Sequence, residues 1–148
     1  MFMNDNLVAT ATVHVDADPD DVWRAITDPE FVVEYFFGTT VESAWVAGST
    51  ITWSGEYEGT AYRDHGTVLE AVPGELLIHT HFSPLTGAQD VPENYHTLTW
   101  RLRPELDGTT LTLTQDNNHS YDEVGHSERN WQNVLDGLKA VVESAATT

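Results

Sequence analysis

The chain has 148 residues, no cysteine, and 24 Asp and Glu against 6 Lys and Arg, for a formal charge of −18. That length predicts one domain over residues 1–148 with a core of its own, and the missing thiols exclude a disulfide scaffold, a thiolate zinc site and a cysteine nucleophile. The acidic field opposes nucleic acid and anionic membrane surfaces as partners, while 40% hydrophobic residues exclude wholesale disorder.

Leu7, Ala9, Ala11, Val13 and Val15 alternate with Val8, Thr10, Thr12 and His14, the period of a half-buried strand. A helix start follows at Asp18-Pro19-Asp20-Asp21. Asp18 can cap free amides, Pro19 suits the first helical position, and the acids complement the helix dipole. Val22, Trp23 and Ile26 form the buried stripe of this short helix. Asp28-Pro29-Glu30 repeats the signal for a second short helix through Phe31, Val32, Tyr35 and Phe36, stopping at Gly38.

Strand patterning then runs from residue 39 to 118. Ile51, Trp53 and Tyr57 share one parity, residues 62–72 end in the turn Pro73-Gly74, and residues 76–82 follow. His96, Leu98, Trp100 and Leu102 precede Leu111, Leu113 and Gln115, with threonines interleaved and Asp107-Gly108 as a hairpin turn. Residues 83–93 form the longest loop inside the sheet. Trp131, Leu135, Leu138, Val142 and Ala145 return to helical spacing. An antiparallel sheet with one wet face must bury the other, and only this last helix is large enough to cover it. The predicted architecture is α+β, a grip of strands around a C-terminal helix.

The run VDADPDDVWRAITDPE at residues 15–30 resembles the opening of the START-like, pollen-allergen-like (SRPBCC) superfamily. More narrowly it is similar to proteins named after the C-terminal domain of the activator of the heat-shock-protein-90 ATPase. GTVLE at 66–70, PGELL at 73–77, DGTTLTLT at 107–114 and a helix beginning near Trp131 extend the likeness over nearly the whole chain. The resemblance implies a helix-grip fold, with a curved antiparallel sheet of about six or seven strands, two short helices after the first, and a long terminal helix. A family tryptophan-phenylalanine pair is replaced by Tyr35-Phe36-Phe37, which bears on cavity shape. Lipid carriers, hormone receptors, cyclases and co-chaperone domains share this chassis, so fold alone does not select a function.

Four groups of residues invite a chemical reading. Trp53, Tyr57, Phe82, Trp100 and Trp131, with Leu135 beside them, fall between sheet and helix and would line a cavity for a small lipophilic or aromatic molecule. Ordinary core packing accounts for the same positions. His79 and His81 share a strand face, and the hairpin across the 83–93 loop sets His81 opposite His96. With Ile78 and Phe82 inward, however, both histidines face water, and neither a metal nor another cofactor is expected. Tyr57, Glu70, Tyr95, His96 and Gln115 are the polar candidates for orienting a ligand or for acid–base work, and ladder and rim positions explain them equally. In Tyr35-Phe36-Phe37 at least one ring is expected to be exposed, gating a cavity mouth or contacting a partner.

The first expectation is therefore a cavity binder with Tyr57, His96 or Gln115 fixing the ligand. A cyclase- or hydratase-like enzyme using the same cavity is the alternative, and a co-chaperone-like domain comes third, with a chaperone partner not expected. A homodimer is compatible with the sequence, though no residue argues for one. Met1–Asn6 lacks the pattern of a secretory signal and no apolar run reaches bilayer length, so a cytoplasmic location is expected. Asn118-His119-Ser120 matches a glycosylation acceptor, read as chance in that location. The lone lysine, Lys139, and the scattered acids suit a salt-rich cytoplasm and predict stability that rises with salt.

Overall fold

The alternating N-terminal segment forms strand β1 (Leu7–Val15), with Ala9, Ala11, Val13 and Val15 buried. Asp18 then caps helix α1 (Pro19–Thr27), its carboxylate accepting from the Asp21 amide at 3.1 Å. Asp28 ends that helix and caps α2 (Pro29–Tyr35), accepting from the Glu30 amide at 2.9 Å. The remaining elements are β2 (Thr40–Ser43), β3 (Thr50–Tyr57), β4 (Thr60–Val72), β5 (Leu76–His81), β6 (His96–Glu105), β7 (Gly108–Asn118) and α3 (Tyr121–Ala146). The computed structural model describes residues 7–146, so the segment read for a secretory signal, Met1–Asn6, lies outside the described residues.

The strands make one seven-stranded sheet in the order β1-β7-β6-β5-β4-β3-β2, every neighbouring pair antiparallel. Helix α3 lies along the β1 and β7 side of the sheet, and α1 and α2 pack on it. Leu135 and Leu138 of α3 are fully buried among Leu77, Leu98, Leu111 and Leu113 of the sheet, the burial that holds the layers together. The expected α+β grip is the observed architecture.

Two local expectations are corrected. Helix α3 begins at Tyr121, well before Trp131. Its start is set by Ser120, whose hydroxyl accepts from the Glu123 amide at 3.1 Å, while its first turns are too polar to show an apolar period. In β5 it is Leu77 and His79 that face the core and not Ile78, while Phe82, just past the strand, is buried in a separate contact with His65 and Tyr95. His79 tolerates burial because both its ring nitrogens are paired there. Asn118 is 5% exposed and its amide donates to the Leu7 and Gln115 carbonyls, which rules it out as a glycosylation acceptor in the folded chain. Among the described residues no helix is long and apolar enough to cross a membrane.

Candidate functional site

The site begins with the β3–β4 hairpin. Glu58 and Gly59 both take positive φ, as a two-residue hairpin turn requires, and the register that follows sets Trp53 opposite Asp64. On the next strands His79 and His81 of β5 and Leu98 and Trp100 of β6 point to the same side. Trp131 of α3 closes the space from above, and Phe36, Thr39 and Tyr62 complete the wall. These side chains enclose about 30 Å³ of free space, too little for an aromatic ring. The roomy hollow expected under the helix is, in this conformation, nearly filled by its own aromatics.

The rings form a continuous ladder. Phe36 meets Trp131 edge-on at 5.8 Å between centroids, and Trp131 meets Trp100 at 6.3 Å. His79 lies 6.5 Å from Trp100 and 5.1 Å from Trp53, and Trp53 is 5.0 Å from His81.

Two polar devices are built into the ladder. The indole N–H of Trp100 donates to His79 Nε2 at 3.0 Å, and His79 Nδ1–H donates to the Thr80 carbonyl at 2.9 Å. Burial in this setting pushes the His79 pKa down to about 4, with the neighbouring His81 adding to the effect and the Thr80 bond opposing it. The second device is a carboxylate–imidazole pair: His81 Nε2 lies 2.9 Å from Asp64 Oδ2. Asp64 Oδ1 is buried and has no hydrogen-bond partner. Beside the pair, the Tyr62 hydroxyl is hydrogen-bonded to the Thr39 hydroxyl.

Phe36, Tyr62 and Asp64 also line an open depression of about 210 Å³, whose other walls are Phe37, Glu56, Tyr57, Leu85 and Asn130. Phe37, Tyr57 and Leu85 are each more than half exposed. The three consecutive aromatics thus have three environments: Tyr35 in the core with its hydroxyl donating to the Ala25 carbonyl at 2.7 Å, Phe36 on the cavity wall, Phe37 at the rim.

Of the residues singled out from the sequence, Trp53, Trp100 and Trp131 come together around the hollow. Tyr57 shares their parity but sits at the hairpin tip, 63% exposed, on the rim rather than under the helix. Phe82 is buried elsewhere, stacked on Tyr95 at 5.2 Å and packed against His65. His96 does stand opposite His81 in the ladder, yet its Nδ1 is taken by the Asp116 carbonyl at 2.8 Å and it lines neither space. Gln115 lies behind the wall, accepting from the Trp131 indole at 2.7 Å, so it positions that ring. Leu135 belongs to the core and not to the cavity wall. Glu70 is exposed on the outside of β4, and Tyr95 is bonded to Asp90. Asp64, Tyr62 and Thr39 also meet at the hollow, and the sequence reading does not single them out. The Glu58-Gly59 turn was the available signal, because it fixes which β4 residue faces Trp53.

Histidine and carboxylate ligand atoms also converge at one surface position, where His14, Glu105 and Asp107 offer atoms within 4.8 Å of one another. There the Glu105 hydrogen bond and the Asp107 and Asp16 charges together outweigh the largest single influence, desolvation, and raise the His14 pKa. The group is solvated and lies apart from the hollow.

A family model described as "Activator of Hsp90 ATPase homolog 1-like protein" matches residues 16–143. The chain belongs to this family. Among solved structures of the type, a Cytophaga hutchinsonii protein determined in solution is 44% identical, with a TM-score of 0.86 over 99% of this chain and 100% of that one. An Aha1 protein from Colwellia psychrerythraea, solved in solution as a dimer, is 21% identical, with a TM-score of 0.73 over 93% of this chain and 96% of that one. DynU16, from the dynemicin biosynthetic locus, is also 21% identical, with a TM-score of 0.78 over 96% of this chain and 49% of that one. No curated protein matches the chain. The Hsp90-activator-like fold is consistent with a ligand-binding domain; the two remoter likenesses bear on fold alone.

Proposed function

We propose that this protein binds a small lipophilic or aromatic molecule at the mouth of the hollow between sheet and terminal helix, in the depression at the β3–β4 hairpin. The observation that carries the reading is that Phe36, Tyr62 and Asp64 line both spaces, so that the hollow and the depression share a wall. An exposed apolar rim of Phe37, Tyr57 and Leu85 leads to a ring-lined interior, the combination that buries a lipophilic guest. The guest's ring lies in the depression, and small movements of Phe36 and Trp131 deepen the space. Titration with Nile red, an uncharged fluorophore, is expected to give saturable 1:1 binding with quenching of tryptophan emission. Phe37→Ala, at an exposed position that leaves the core intact, should weaken it severalfold. Absence of saturable binding would remove the proposal.

A second reading, a cyclase- or hydratase-like enzyme in the same cavity, is favoured by one observation, the Asp64–His81 pair at the wall. A carboxylate that orients an imidazole is the arrangement of a general base. Turnover with a bell-shaped pH profile, abolished by His81→Asn, separates an enzyme from a carrier. The dimer of the Colwellia protein supports a homodimer as the proposed assembly, which light scattering on the purified protein tests directly.

A further inference from the structure

Asp64 is the one charged group shared by the hollow and the depression, and its two oxygens are not equivalent. Oδ2 accepts from His81 Nε2 at 2.9 Å, while Oδ1 is buried with no donor. A buried carboxylate oxygen without a donor is unfavourable, and the group that relieves it must bring an O–H or N–H. Two of the other polar groups at the wall are already engaged. The Tyr62 hydroxyl is engaged by Thr39, and His79 spends both nitrogens on Trp100 and Thr80. An acceptor or anion placed against Asp64 meets a negative oxygen, Glu56 on the same rim and a chain of formal charge −18.

We infer that Asp64 selects the ligand: an uncharged or cationic aromatic molecule carrying one hydroxyl or amine donor, whose ring fills the depression and whose donor hydrogen-bonds Asp64 Oδ1. Carboxylated, sulfonated and phosphorylated aromatics are rejected. The inference rests on the ligand-binding reading and adds the chemistry of the guest. His81 acts as a positioning residue, since its bond to Oδ2 fixes the orientation of the carboxylate and leaves Oδ1 for the donor.

Calorimetry of the intact chain at pH 7 with three probes of one size tests it: 1-naphthol, 1-methoxynaphthalene and 1-naphthoate. A hydrogen bond to a charged acceptor predicts naphthol binding about tenfold or more tighter than the methyl ether. Naphthoate should bind weakest. In Asp64→Asn the oxygen is retained toward His81 and an amide N–H₂ takes the place of Oδ1, so the preference for naphthol should vanish and naphthoate should gain. Should that variant fail to fold, the carboxylate ¹³C resonance of Asp64 in the unaltered protein gives the same answer, shifting with naphthol and not with the ether. Naphthol and ether binding within twofold of each other, or a preference that survives Asp64→Asn, would overturn the inference while leaving a cavity binder. Failure of naphthol and its ether alike to bind the folded protein would remove both.

Discussion

The Trp100 indole N–H, which can only donate, points at His79 Nε2 from 3.0 Å. Nε2 must therefore be the unprotonated nitrogen, and the proton sits on Nδ1, which donates to the Thr80 carbonyl. One hydrogen bond thus sets the tautomer of a fully buried histidine and ties β5 to β6 beneath the aromatic ladder.

A pH dependence of stability follows. The folded pKa of His79 is about 4, below the ordinary value of 6.5, so between those limits the unfolded chain binds the extra proton. His79's contribution is complete above pH 6.5 and is lost as pH falls toward 4, a loss of about 3 kcal/mol at 1.36 kcal/mol per pKa unit. His79→Gln keeps an acceptor for Trp100 and removes the titration. Urea unfolding at pH 7 and pH 4.5 should show a markedly smaller loss in the variant than in the parent. Equal losses would contradict the buried neutral imidazole.

The Gln115–Trp131 bond gives a second expectation. Gln115 accepts from the Trp131 indole at 2.7 Å and donates to Asn118 at 3.1 Å and Ser127 at 3.3 Å, all on the concealed side of the cavity wall. Gln115→Leu keeps the volume and strands the indole N–H, which should cost about 1–3 kcal/mol in chemical denaturation and shift tryptophan emission. An unchanged unfolding midpoint would show that Trp131 is held by packing alone.

Two glycines should respond in opposite directions to the same change. A Cβ on Gly66 would sit 1.9 Å from the Thr80 carbonyl oxygen, where β4 and β5 approach too closely for any side chain. Gly66→Ala should therefore be severely destabilising or fail to fold. Gly125 lies inside α3, where a Cβ would meet nothing closer than the Arg129 guanidinium at 3.5 Å. Gly125→Ala should raise stability by about 0.5–1 kcal/mol through helix propensity. Thermal melts of the two variants read both signs, and a tolerated Gly66→Ala would place β5 elsewhere.

Most of the architecture was legible because it rests on local signals. Asp18-Pro19 and Asp28-Pro29 satisfy helix amides within a few residues, and the alternation in β1, β6 and β7 reports burial one residue at a time. The start of α3 is legible too, but in the Ser120 cap and Glu123 rather than in an apolar period. The candidate site was harder to read. His79 looks like a surface residue until Trp100 supplies its hydrogen-bond partner from another strand.

By itself, the sequence determined the acidic surface, the absence of thiol chemistry, the element order and the apolar faces that force a sheet to close on a terminal helix. Those follow from composition and from periods of two and 3.6 residues. Only the tertiary structure decided which parity of β5 turns inward, that Tyr57 overshoots the helix to stand at the rim, and that Asp64 meets His81 beside Trp53. Strand pairing and register set those outcomes, and a shift of one residue would exchange every inward group for an outward one.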